Sequence, residues 1–265
     1  MRRRSIDCRA FRVAAIVVMA ISAISISAPA YAQAANGCAA LPKYADLKAA
    51  LTAATTAESS GLNNQMWGTI VDRDGVVCAI AFTGKARDSQ WPGSRVISAQ
   101  KANTANAFGL DSSSAGVNNS GQAKGLALST ANLFSAVQPG GSLYGLQFSN
   151  PVDPTVAYRG ASASYGMAND AMVGGKIGGV NVFGGGLALF ATGQKMVGGI
   201  GVSGDTSCAD HMIAWRTRNG LKLDHLAGVG GISGDPMRPD NIVFDIGANG
   251  QSAGGFGHPK CIMTG

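Results

Sequence analysis

The residues of this sequence best suited to chemistry are its cysteines, its histidines and one glycine-rich run. Cys38, Cys78, Cys208 and Cys261 form an even set once Cys8, in the first segment, is set aside. In an oxidising compartment such a set favours two disulfides, with three possible pairings. Beyond Cys8 the chain holds three histidines, His211, His225 and His258. Cys208-Ala209-Asp210-His211 and His258-Pro259-Lys260-Cys261 together offer two sulfurs and two imidazoles for zinc. Their C-x-x-H and H-x-x-C spacings match the usual Cys2His2 pattern poorly, and a Cys208–Cys261 disulfide competes for the same sulfurs. Gly198, Gly199, Gly201 and Gly204 surround a strand end and a helix start. Glycines there admit close backbone approach, and free N–H groups at a helix start favour an anion. A tight turn with no ligand is the other reading of the same residues.

Other catalytic patterns are broken. Gly201-Val202-Ser203-Gly204 lacks the spacing of a nucleophile elbow. Gly174-Gly175-Lys176-Ile177 resembles part of a phosphate-binding loop, but Asp170 stands where its first glycine belongs and Ile177 where it needs Ser or Thr. Asp72 and Asp74 are better explained by a turn than by paired acid–base work. Asn118-Asn119-Ser120 is a formal glycosylation sequon.

The elements that must position these groups begin after a leader. Residues 1–32 carry Arg2, Arg3 and Arg4, an apolar stretch from Val13 to about Ile26, then Pro29 and Ala30-Tyr31-Ala32. This is the pattern of a cleaved secretory signal, its apolar run shorter than the ~20 residues of a span. Five of the 21 basic residues and one of the 15 acidic ones leave with it, so the formal charge falls from +6 to +2. That removes the main support for nucleic-acid binding. With 14% charged residues in the whole sequence and no strict glycine period among its 38 glycines, the chain is neither disordered nor collagen-like. It is expected to be exported, with no membrane attachment after cleavage.

Leu41, Tyr44, Leu47, Leu51 and Ala54 recur at helical steps and predict a helix over 41–59. Apolar runs 67–71 and 76–82 flank Asp72-Arg73-Asp74-Gly75 and read as a hairpin. Ser94 is expected to cap a second helix reaching about Phe108. Residues 109–185 read as a loop-rich insertion with one helical candidate, 128–137. Runs 187–190 and 196–203 make a second hairpin, and Asp205 is expected to cap a helix reaching about Arg218. Residues 219–265 form a glycine-rich tail. Two hairpins with helices between them imply an α/β (α+β) domain over 33–218, built on an antiparallel sheet flanked by helices, with the tail packed on it. If the first helix runs antiparallel to the first strand, Cys38 reaches Cys78. Cys208 then starts the last helix, to which the tail returns Cys261.

Two stretches resemble a known family. Asp72-Arg73-Asp74-Gly75 is followed by Ser98-Ala99-Gln100-Lys101-Ala102-Asn103-Thr104-Ala105-Asn106-Ala107-Phe108, and later by Gly198-Gly199-Ile200-Gly201-Val202-Ser203-Gly204-Asp205-Thr206 with Asp210. In this order they are similar to the GlcG/HbpS-like family, also met as the C-terminal part of PduO-type proteins. The resemblance covers about 40–108 and 185–218; the insertion and tail depart from it. It implies a homo-oligomeric, profilin-like domain with a sheet of about five strands that binds haem or a similar tetrapyrrole, and no agreed catalytic residue. Haem needs an axial ligand, apolar walls and cations for its propionates. His211 and His225 are the ligand candidates, with His258 third. Gly199, Gly201 and Gly204, with Arg216, Arg218 and Lys222, are the candidates for the anionic edge. The expected function is haem storage, sensing or handling outside the cytoplasm. The alternatives are an enzyme or enzyme accessory acting on a small metabolite, and a structural interaction module without ligand.

Overall fold

The computed structural model describes residues 37–111, 113 and 124–261. The expected leader and the sequon lie outside them. All described residues belong to one compact unit, 36–265.

A single-turn segment, Gly37–Ala40, leads into helix α1, Tyr44–Thr56. Its Leu47, Leu51 and Ala54 are buried. Strand β1, Trp67–Asp72, and strand β2, Val77–Phe82, pair as an antiparallel hairpin. Asp72 builds the turn: its carboxylate accepts the N–H groups of Asp74 and Val76 at 2.9 Å, and Gly75 adopts a φ of +76°. Helix α2, Ser94–Ala107, begins from Gly93, so Ser94 occupies the first helical position rather than the cap.

The described residues from there to 185 are largely irregular. The helical candidate 128–137 resolves into two 3-10 turns, Thr130–Leu133 and Ser135–Val137, the first capped by Ser129. Pro139-Gly140-Gly141 prevents anything longer. A short helix α3 follows at Pro154–Ala157. Strand β3, Gly186–Ala191, and strand β4, Lys195–Ser203, form the second hairpin. Helix α4, Ser207–Gly220, closes the regular structure. Thr206 caps it by accepting the Ala209 N–H. The Asp205 carboxylate instead takes the N–H groups of Leu62 and Asn64 and so ties the entry of β1 to the end of β4.

The four strands lie in the order β2-β1-β4-β3, each pair antiparallel. The expected fifth strand is absent among the described residues because the insertion and tail contribute only isolated bridges. Both sheet faces are covered, which explains why the strands read as continuous apolar runs. Ile70, Leu187, Leu189, Ile200 and Val202 pack with α1 and α4, whereas Val71, Val77 and Ile80 pack with α2. Helix α2 rests directly on β4. A Cβ at Gly201 would fall 1.9 Å from the Ser98 carbonyl oxygen, and one at Gly199 would fall 2.3 Å from that of Ala102. Cys38 is bonded to Cys78 and Cys208 to Cys261.

Candidate functional site

Helix α4 carries His211 and Trp215 four residues apart, so both lie on one face. With Met212 they line a cavity of about 170 Å3, bounded on the other side by Arg238, Asp240 and Asn241 of the tail. His211 is 2% exposed and its Nδ1 has no hydrogen-bond partner. Burial pushes its pKa down to about 4, opposed by Asp240 and reinforced by the charges of Arg218, His258 and Lys101. The ring is therefore neutral at ordinary pH. A neutral imidazole with an unused nitrogen is what a metal requires of histidine.

The surrounding charges are spent on one another. Asp210 does not orient His211; its Oδ2 accepts from Lys101 Nζ at 2.6 Å and its Oδ1 from the Asp205 N–H at 2.8 Å. Lys101 also donates to the Val202 carbonyl and lies 3.8 Å from the centre of the Phe183 ring. Burial raises Asp210 to about 6 despite the pull of Lys101, and lowers Lys101 despite the pull of Asp210. Arg218 forms a two-pronged pair with Asp240, at 2.5 and 3.1 Å, and donates to the Ala188 carbonyl.

The other candidates are dispersed. Gly199, Gly201 and Gly204 have no positive φ, and the space at each is filled by protein: α2 at the first two, the Gln65 carbonyl at Gly204. They set the spacing between helix and sheet and present no cradle. Arg216 is paired with Glu58, and Lys222 is exposed. His225 is also exposed and lies beyond the end of α4, separated from His211 by roughly 14 Å of helix. The two imidazoles do not meet at one iron. His258 is held by Ser207 Oγ at Nε2 and by the Pro259 carbonyl at Nδ1, each at 2.7 Å. With Cys208 and Cys261 joined, the zinc set has no free sulfur. Among the described residues one group has metal-ligand spacing, Cys38, Asp72 and Cys78, and its sulfurs too are joined.

A second, wider cleft of about 650 Å3 lies between α1, the loop after β2 and residues 162–167. Tyr44, Lys48, Phe82, Lys85, Arg87 and Tyr165 are among its walls. Sequence reasoning missed it. The only local signal is Lys85 and Arg87 in a short loop following a strand, and nothing in the periodicity links that loop to Tyr165.

The model of the haem-degrading HbpS-like proteins matches residues 44–218, about two thirds of the chain. The chain belongs to the HbpS-like family. The match of this HbpS-like chain takes in Lys101, Asp210 and His211 and ends at Arg218, leaving His225, His258 and Cys261 beyond it. Among solved structures, the PduOC–haem complex is similar at 22% identity and a TM-score of 0.43, over 69% of this chain and 96% of that one. The Klebsiella pneumoniae protein ORFY is similar at 24% identity and a TM-score of 0.41, over 68% and 90%. HbpS is similar at 16% identity and a TM-score of 0.37, over 67% and 86%. A search of curated proteins gives no match.

Proposed function

We propose that this chain binds haem and handles it outside the cytoplasm, with His211 as the iron ligand. The carrying observation is the buried, neutral His211, which lines a cavity with Trp215 and Met212 and whose Nδ1 takes no hydrogen bond. Trp215 supplies an aromatic face for a flat ring, and Arg238, whose Nε is paired with Asp235 at 2.8 Å, has the rest of its guanidinium at the rim for a carboxylate. Bound there, haem supplies an iron centre able to bind small ligands or exchange electrons. The protein's own part is to keep the imidazole deprotonated and in place and to exclude water. Lys101 and Asp210 neutralise each other one residue away, so neither places an uncompensated charge beside the ring. The family match supports the ligand class. Two disulfides and the leader-like residues 1–32 support export, and among the described residues no helix is long and apolar enough to cross a membrane. We further propose that the chain assembles with copies of itself.

Hemin titration of the exported protein tests the assignment. The wild type is expected to shift the Soret band at fixed stoichiometry. His211→Ala should abolish the shift with its far-UV circular dichroism unchanged, whereas His225→Ala should retain it. A normal shift in folded His211→Ala removes His211 as the ligand.

A further inference from the structure

We propose that the wide cleft beside α1 is a separate binding site for an aromatic carboxylate, independent of iron. Its floor is Phe82, stacked on Trp67 with ring centres 4.1 Å apart. The insertion is laid directly onto that floor. Gly166 adopts a φ of +76°, and a Cβ there would fall 2.6 Å from Phe82 Cβ and 2.8 Å from the Trp67 ring. Tyr165 beside it is fixed on two counts. Its hydroxyl donates to the Tyr158 carbonyl at 2.9 Å, and the Arg95 guanidinium lies 3.6 Å from its ring centre. Tyr44 of α1 stands on the cleft's helical side. The half-buried Tyr44 and Tyr165 thus offer aromatic surface above a floor closed by Phe82, a geometry that rewards a flat conjugated ring.

The charge around these rings has one sign. Lys48, Lys85 and Arg87 line the cleft against a single acid, Asp88. Lys48 Nζ donates to the Phe82 carbonyl at the floor. Lys85 and Arg87 are exposed and form no ion pair among the described residues. A neutral ring leaves this field unused, and an aliphatic acid leaves the ring faces unused. An aromatic acid answers both. The assignment does not depend on His211, whose cavity shares no lining residue with the cleft.

Calorimetric titration of the full chain with 1-naphthoate, and with 1-naphthol as its neutral counterpart, tests the site. Naphthoate should bind about tenfold more tightly than naphthol and lose affinity as salt is raised. The Lys85→Glu/Arg87→Glu double variant changes only exposed side chains and should weaken naphthoate at least about tenfold. His211→Ala should bind it as the wild type does, while separately reporting on the haem ligand. The proposal is overturned by absence of naphthoate binding, by equal binding of naphthol, or by undiminished binding to the double variant. It is also overturned if hemin displaces naphthoate from His211→Ala, which would make the cleft the porphyrin's own site.

Discussion

The insertion and the C-terminal tail are both glycine-rich and, in their described residues, nearly free of regular structure, yet the core holds them by different means. The insertion is fastened by Arg95 of α2, whose guanidinium grips Asp170 at 2.5 and 2.8 Å and reaches the Ala157 carbonyl. Asp170 in turn accepts the N–H groups of Gly166 and Met172. The tail has a matching grip, Arg218 of α4 on Asp240, and adds a covalent one, Cys208–Cys261. Buried Arg–Asp pairs contribute little net stability but are costly to break, because one charge is left uncompensated. The insertion also buries Ala157, Met172 and Ile177 against β2 and α2 but carries no cross-link, whereas the tail stays tethered by its disulfide when its pair fails. The division follows what each segment does. The insertion shapes one side of an open cleft, whereas the tail closes over His211.

The largest expected effect comes from removing the insertion's grip. Asp170→Ala should lose about 3–5 kcal/mol in urea unfolding and expose a protease site within 154–172. Asp240→Ala leaves Arg218 just as uncompensated, but its tail should resist cleavage until a thiol reductant is added. Equal cleavage of the two oxidised variants would erase the distinction drawn between the segments. Removing the cross-link is next in size. Replacing Cys208 and Cys261 by Ser opens a span of 53 residues and should cost about 4 kcal/mol. A loss below about 1 kcal/mol would show that the tail's noncovalent contacts suffice to hold it.

The smallest effect sharpens the comparison through pH. His211 titrates near 4 in the folded chain, against an ordinary value of 6.5. Between these values the unfolded chain holds the extra proton, so this group's contribution to stability rises with pH and is lost as pH falls through that window. The full effect is roughly 3 kcal/mol. Asp210, raised from 3.8 to about 6, works in the opposite sense between those values. His211→Leu should therefore lose the rise and uncover the fall. In the Cys208/Cys261 double Ser variant, proton titration of His211 by NMR should move back toward 6.5. A value still near 4 would mean that α4 and the sheet, not the tail, keep water away.

Much of the core was legible because its signals are local. Asp72-Arg73-Asp74-Gly75 fixes a hairpin, and Leu47, Leu51 and Ala54 repeat at helical spacing. The antiparallel layout of α1 and β1 suffices to bring Cys38 beside Cys78. Helix starts were less legible, because neighbouring polar residues compete for the cap. Thr206 takes the position expected of Asp205, whose carboxylate serves a loop some 140 positions away in sequence. The strand count was overestimated, because irregular segments bridge to the sheet without extending it. His211 stood out as one of few histidines, but its solitude did not. Its distance from His225 follows from the length of α4, and its burial from a tail without periodicity. The cleft was illegible for a related reason: Tyr44, Lys85 and Tyr165 meet only once the insertion has docked.

The glycines of β4 carry a lesson about what such a run can mean. Gly199 and Gly201 lie under the backbone of α2, so the first atom of any side chain there meets the helix at once. The damage from a methyl group would not stay in the strand. It would lift the helix that carries Lys101, draw the ammonium from Asp210, and strand two ions in a dry interior. Emptiness at these positions works as a tolerance, machined so that opposite charges on two helices arrive within bonding reach across the sheet.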